Sequence, residues 1–414
     1  MRRLSCALLI VCAIALVFFT AGDSEAVPTF ARKYKTSCTT CHYAFPRLNN
    51  FGKAFLNNGM RYPGDDKEYA KEEAVSLGAE NYKKVFPNAI WPADIPGAPV
   101  ISFRAISRVH FQPSKNGKAE EFSFETPHEL EAFMAGTIGD EMSFFFELEW
   151  EHVGEFGYGG WLDYMFSPQF HARLGNIDYL PVHDGMRFTR EHYNYYDYFG
   201  GLDASGIEIW GAANGPEDRG GLVYSVAAFN GENDGGDNID KNSNKDVMAK
   251  ASFKIGGMGV VGSTTASETS AFWKDNSMTL GGFAQTGKMS NGYKTRNVGG
   301  NADFFFENLN VFGLYMISSE KAPSIASLTA AAEPEWNNSN IAFLEADYVV
   351  YPWLIPLLRF EYAKEDGAER AKKQLVPGIV IMARANVKFI VTGRHDLNGD
   401  SDRNRYNLQA EVGF

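Results

Sequence analysis

Residues 143–151 read Ser-Phe-Phe-Phe-Glu-Leu-Glu-Trp-Glu, an alternation that only one backbone geometry uses well. Phe144, Phe146, Leu148 and Trp150 fall at every second place, and Phe145, Glu147, Glu149 and Glu151 stand between them. Successive side chains of an extended chain point to opposite faces. The segment is therefore a strand with one face out of water and one face in it. The pattern returns at 100–111, 387–394 and 406–414. Divided this way, residues 100–414 hold about sixteen strands, most near the roughly 9–11 residues that a tilted membrane strand needs.

The connections sort by parity. Long ones follow the odd strands, at 113–127, 180–205, 231–246, 319–338 and 366–373. Short ones follow the even strands, at 139–141, 168, 256–257 and 352–353. Short periplasmic turns with longer outer loops are the layout of an outer-membrane barrel, and a soluble sandwich has no reason to sort its loops so. The last strand places Tyr406, Leu408, Ala410, Val412 and Phe414 on one face and ends on the aromatic, like the closing strand that the outer-membrane assembly machinery recognises. The expected fold is all-β: an antiparallel outer-membrane barrel of about sixteen strands over 96–414, set in lipid. An even count leaves both barrel ends on one side, and the short turns make that side periplasmic.

What precedes the barrel is different in kind. Arg2 and Arg3 stand before an apolar run at 8–19, and Ser24-Glu25-Ala26 offers a small-residue cleavage site, so 1–26 is expected to be a signal peptide. Neither Cys6 nor Cys12 sits in a lipoprotein context, and the mature chain would keep only Cys38 and Cys41. The balance of 39 Lys+Arg against 51 Asp+Glu, a net −12, argues against a nucleic-acid partner.

Residues 27–95 form the second expected unit. Cys38-Thr39-Thr40-Cys41-His42 is the C-x-x-C-H pattern of covalent c-type haem attachment. Two thiols at this spacing can add to the vinyl groups of one porphyrin edge while the adjoining imidazole reaches the iron. A zinc clip would need two further ligands, and the next histidine is His110, inside the first barrel strand. A thioredoxin-like pair would need a βαβ context that is missing. One haem c is the expected cofactor. Met60, eighteen residues after His42, is a candidate for the sixth iron position. A packing role for it, or water, no ligand or a barrel histidine on the iron, stand as alternatives. Phe30, Phe45, Phe51 and Phe55 supply apolar wall for a macrocycle, residues 51–56 suit a short helix against it, and 65–84 is a solvated helix or linker.

Phe30-Ala31-Arg32, the C-x-x-C-H run, Pro46-x-Leu48, Phe51-Gly52-Lys53-x-Phe55 and Asn58-Gly59 together resemble the N-terminal segment of the monohaem cytochrome–porin fusions of iron-oxidising bacteria. The likeness spans about thirty-five residues; beyond it only porin-like character continues, including Arg173-Leu174-Gly175 and Tyr351-Pro352-Trp353. It implies haem binding by Cys38, Cys41 and His42, and an outer-membrane electron conduit whose best-known donor in that family is ferrous iron. An aromatic usually follows the Asn-Gly in the family, whereas Met60 stands here, so no axial ligand is carried over.

These readings give an expected function: electron transfer between an extracellular metal ion or small redox partner and a periplasmic cytochrome, as in an Fe(II):cytochrome oxidoreductase. Glu147, Glu149 and Glu151 are expected lumen carboxylates able to attract Fe(II). The rivals are a transport porin with a structural or sensory haem, and a haem peroxidase, for which the motif's surroundings offer no distal histidine. The haem segment is expected at the periplasmic face or inside the barrel.

Overall fold

The computed structural model describes residues 29–64, 66–71, 84–85, 101–113, 120–151, 155–178, 180, 188–189, 193–199, 204–231, 243–262, 273–288, 292–321, 336–398 and 404–413. The signal peptide, Phe414 and most of the 65–84 stretch lie outside them.

Sixteen strands close into one antiparallel barrel. In chain order they are β3 (Ile101–Gln112), β4 (Glu121–Ile138), β5 (Met142–Glu151), β6 (Glu155–Ser167), β7 (Phe170–Ile177), β8 (Ala204–Asn214), β9 (Arg219–Phe229) and β10 (Asp246–Met258). They continue as β11 (Ser277–Lys288), β12 (Lys294–Phe306), β13 (Leu309–Lys321), β14 (Trp336–Tyr348), β15 (Leu354–Glu365), β16 (Lys372–Arg384), β17 (Val387–Asp396) and β18 (Arg405–Gly413). The seam joins β18 to β3, with Leu408 opposite Val109 and Val412 opposite Ala105. Closure leaves no unpaired edge, which a sheet in lipid requires.

The alternation fixes which face meets lipid. Phe103, Phe146, Leu148, Trp150, Leu174, Phe253, Leu344 and Leu358 are exposed on the outside. Arg104, Glu131, Asp163, Glu208, Asp303, Asp347, Arg359 and Glu411, their sequence neighbours or counterparts, are buried on the inside. An apolar exterior around a polar interior is the pattern of a membrane-spanning barrel, and the chain is a bacterial outer-membrane protein of that architecture.

Two expected connections move. Gly256 and Gly257 are not a turn but the bulged end of β10, at φ 75° and 62°, where the register with β9 shifts. The connection that follows, 259–276, is long although it lies on the short-turn side. The expected 113–127 loop is also shorter: β4 begins at Glu121 and runs through Pro127, opposite an irregularity in β3 between Ile106 and Arg108. Proline lacks a donor for the ladder and is tolerated at such bulges.

Ahead of the barrel come helix α1 (Thr29–Lys33), the two-stranded ribbon of β1 (His42–Ala44) and β2 (Arg47–Leu48), helix α2 (Asn50–Asn57) and the single turn α3 (Asp66–Tyr69). This segment, residues 29–71 as far as they are described, fills the barrel mouth at the short-turn end. Arg47 enters the lumen and pairs with Asp347 at 2.6 Å, both nearly fully buried, and also bonds Asn310. Lys53 pairs with Asp303 at 3.3 Å. Arg61 donates to the carbonyls of Gly139 and Met142 at the β4–β5 turn. The long 259–276 connection grips it from the other side: Asn57 and Asn58 donate to the carbonyls of Val260 and Val261, and the Tyr43 hydroxyl to that of Trp273.

A second obstruction lies in the lumen. Residues 193–199, from the long connection between β7 and β8, fold inward. Tyr193, Tyr195, Tyr196 and Phe199 pack on Phe283, Phe312, Met316, Ile341 and Phe343 from the barrel wall. Tyr193 donates to Glu345 at 2.9 Å and lies under the Arg359 guanidinium.

Candidate haem site

Ser37 opens a single 3-10 turn over Cys38–Thr40, which brings Cys38 and Cys41 to the same side of the chain. Asn49 holds this turn. Its backbone N–H donates to the Cys41 carbonyl at 2.9 Å, and its amide donates to the carbonyls of Thr39 and Thr40 at 3.1 and 3.0 Å. Its side-chain oxygen meanwhile caps α2 by accepting from the Gly52 N–H at 2.9 Å. One residue thus ties the Cys38–Thr40 turn to the helix behind it. The approach is close enough to demand glycine at 52, because a Cβ there would stand 2.1 Å from the Cys41 oxygen.

His42 follows on β1. Its Nδ1 lies 3.1 Å from the Pro46 carbonyl oxygen, a partner that requires the proton on Nδ1 and leaves the Nε2 lone pair for an iron. A backbone carbonyl that fixes the tautomer in this way is the usual support of a metal-bound imidazole. Burial pushes the His42 pKa down to about 4 despite that hydrogen bond, so the ring is neutral at ordinary pH. Both cysteines are free. Burial raises both thiols, Cys41 to about 12, opposite to what a reactive thioredoxin-like thiolate needs. A zinc clip also lacks support: among the described residues, no further His, Cys, Asp or Glu joins Cys38 and Cys41 within ion-sharing reach.

Cys38, Cys41 and His42 line one cavity of about 840 Å³ between the segment and the lumen wall, within the roughly 300–1,000 Å³ of cofactor sites. Phe30, Phe45, Phe51 and Phe55 all face it, joined from the barrel by Phe133, Phe145 and Trp161. Met60 faces it too, 5% exposed and packed with Tyr34, Phe55 and Ala135. The residues present fit a haem: two thiols, one oriented imidazole and an aromatic chamber.

The predicted carboxylates divide. Glu147 and Glu149 line the same cavity, while Glu151 is exposed at the far end of β5. Glu149 gathers instead with Glu129 and Glu131 of β4, with one oxygen from each within 4.8 Å of the others. The β4–β5 register, which sets Glu131 opposite Glu149, makes that cluster; alternation in β4 could have suggested it. Sequence reasoning also passed over His171. This fully buried ring on β7 bonds Asp163 through Nδ1 at 2.8 Å, stacks on Trp210, and its Nε2 has no partner among the described residues.

No family profile and no curated protein matches the chain. Solved structures do. The anion-selective porin from Comamonas acidovorans aligns at a TM-score of 0.53 and 12% identity, over 76% of this chain and 99% of that one. The Salmonella typhi OmpF in complex with daunomycin aligns at 0.51 and 12%, over 76% and 97%. At such identities the likeness shows the fold: a porin-like barrel.

Proposed function

We propose that this outer-membrane barrel carries one haem c in its periplasmic mouth and moves electrons between a small extracellular redox partner and a periplasmic cytochrome. The observation that carries the reading is the convergence of Cys38, Cys41 and a tautomer-fixed His42 on one aromatic cavity inside the barrel. Bound there, haem supplies one-electron chemistry. The protein supplies the rest. Cys38 and Cys41 would hold the porphyrin edge, His42 would offer Nε2 to the iron, and the phenylalanines with Trp161 would keep water from the ring. Glu149, beside Glu129 and the Arg104-paired Glu131, presents hard oxygens to a cation in the lumen, which suits Fe(II) as the donor. Oxidation of that ion to Fe(III) releases the single electron that the cytochrome accepts.

A second reading is favoured by the porin likeness itself: a transport porin whose haem is structural or sensory. Stopped-flow mixing of the haem-loaded protein with Fe(II), and separately with reduced periplasmic cytochrome, divides the two. Electron exchange is expected with both, slowed toward Fe(II) in Glu149→Gln with the haem spectrum unchanged. Absence of exchange with either partner, together with solute-dependent conductance in bilayers, would leave the porin reading standing.

A further inference from the structure

A second group of ligand-bearing side chains stands at the other end of the lumen. His110 lies near the end of β3, and Glu121, Glu125 and His128 near the start of β4. This is the end of β4 opposite the turn that Arg61 grips. The alternation that turns Phe122 and Phe124 outward turns Glu121 and Glu125 inward. His128, three places after Glu125, would face lipid in a regular strand; the irregular register beside Pro127 brings it to the same side. Glu125 then sits between two imidazoles, its Oε1 3.0 Å from His110 Nδ1 and its Oε2 2.8 Å from His128 Nδ1. The other ring nitrogen of His110, Nε2, lies 3.1 Å from Glu121 Oε1. A neutral imidazole carries one N–H, yet both nitrogens of His110 face carboxylate oxygens. One of the two contacts sets lone pair against lone pair unless a cation, a second proton or a metal ion, is present. Arg108, opposite Glu125 in register, turns its guanidinium to the Gln409 side-chain oxygen at 3.1 and 2.9 Å.

We propose that His110, Glu121, Glu125 and His128 bind one divalent transition-metal ion at the outer end of the lumen. Imidazole nitrogens mixed with carboxylates select ions of the Fe(II), Co(II) and Zn(II) class over magnesium and calcium. Ligands at about 2.0–2.1 Å from one ion stand about 3 Å apart across a coordination edge, which is the spacing of each nitrogen–oxygen contact here. The imidazoles flank the Glu125 carboxylate rather than forming a closed cage, so the ion would gather them by rotation of their side chains. Glu121 is exposed and the other three are largely but not wholly buried, which leaves the group within reach of water. Glu129 follows His128 on the same strand and gathers with Glu149, which lines the haem cavity. The site is therefore a capture point on the wall that leads inward, and it needs no haem to operate.

The test is equilibrium dialysis of the detergent-solubilised full chain against Zn(II), with metal counted per folded barrel and folding checked by heat-modifiable migration. The parent should retain zinc that excess Mg(II) does not displace, with imidazole scattering in the zinc X-ray absorption spectrum. His110→Gln and His128→Gln should each weaken binding at least about tenfold, since losing a direct ligand costs no less than losing an outer partner. Glu125→Gln should do the same, and the double histidine variant should lose the imidazole signal. Zinc retention and spectrum unchanged in that double variant would overturn the assignment. A folded parent that retains no zinc would overturn it as well, and would show that His110 holds a second proton there instead. None of these readouts uses the haem, so a parent lacking covalent haem in a pyridine haemochrome assay would count against the electron-transfer reading alone.

Discussion

Single residues decide whether the mouth of this barrel is an ordered chamber or a loose chain. Asp66 accepts from the Tyr34 hydroxyl at 2.5 Å, the Tyr62 N–H at 2.8 Å and Lys33 Nζ at 3.1 Å. Burial opposes its charge, yet these bonds outweigh burial and hold its pKa below the usual carboxylate value. A depressed carboxylate stabilises the fold above its unfolded pKa of about 4 and loses that contribution as pH falls through the folded value. Asp66→Asn should cost about 1–3 kcal/mol in the docking of the segment, read as faster proteolysis near residues 60–70 at pH 7 with little difference from the parent at pH 2–3. Met60 gives a second residue-scale outcome. With the residue buried on the cavity wall, Met60→Ala should abolish any methionine–iron charge-transfer band and lower the haem potential if sulfur is the ligand. An unchanged ferric spectrum would confine Met60 to packing.

Among elements, the ribbon and helix α2 act as one plug. Arg47 anchors it in the lumen, set on Asp347 and over the rings of Phe188 and Phe312. Removing one partner of a buried pair costs about 3–5 kcal/mol, because the other charge is left without compensation. Arg47→Met should therefore release the segment to protease while the barrel keeps its heat-modifiable migration. Arg47→Met with Asp347→Leu should recover much of the loss; equal lability of single and double variants would mean that the pair is not what seats the plug. Two adjacent glycines are a strong turn signal, but at 256–257 they form a bulge, and the chain continues outward into the 259–276 connection that clasps α2.

For the whole molecule, two obstructions share one lumen, the N-terminal plug at the periplasmic end and the inward 193–199 segment above it. The full chain should then conduct ions in bilayers less than a variant lacking residues 29–71, and shortening the 180–203 connection in that variant should raise conductance again. Equal conductance of the full chain and the 29–71 deletion would show that the plug does not obstruct the pore. Heat-modifiable migration and recovery from outer-membrane fractions check the barrel independently of any haem.

The sequence by itself determined the barrel and the C-x-x-C-H motif, because both are local. A side-chain period of two writes the lipid and lumen faces into every strand, as Phe146, Leu148 and Trp150 outside and Glu147 and Glu149 inside demonstrate. Cys38, Cys41 and His42 announce themselves by spacing alone. The tertiary structure decided where the motif goes and what surrounds it. Arg47 meets Asp347 across three hundred positions, Asn50 meets Lys254 across two hundred and four, and Glu149 joins Glu129 and Glu131 only through strand register. No local pattern encodes such meetings; they arise when closure of the sheet brings distant lumen faces within reach of one short segment.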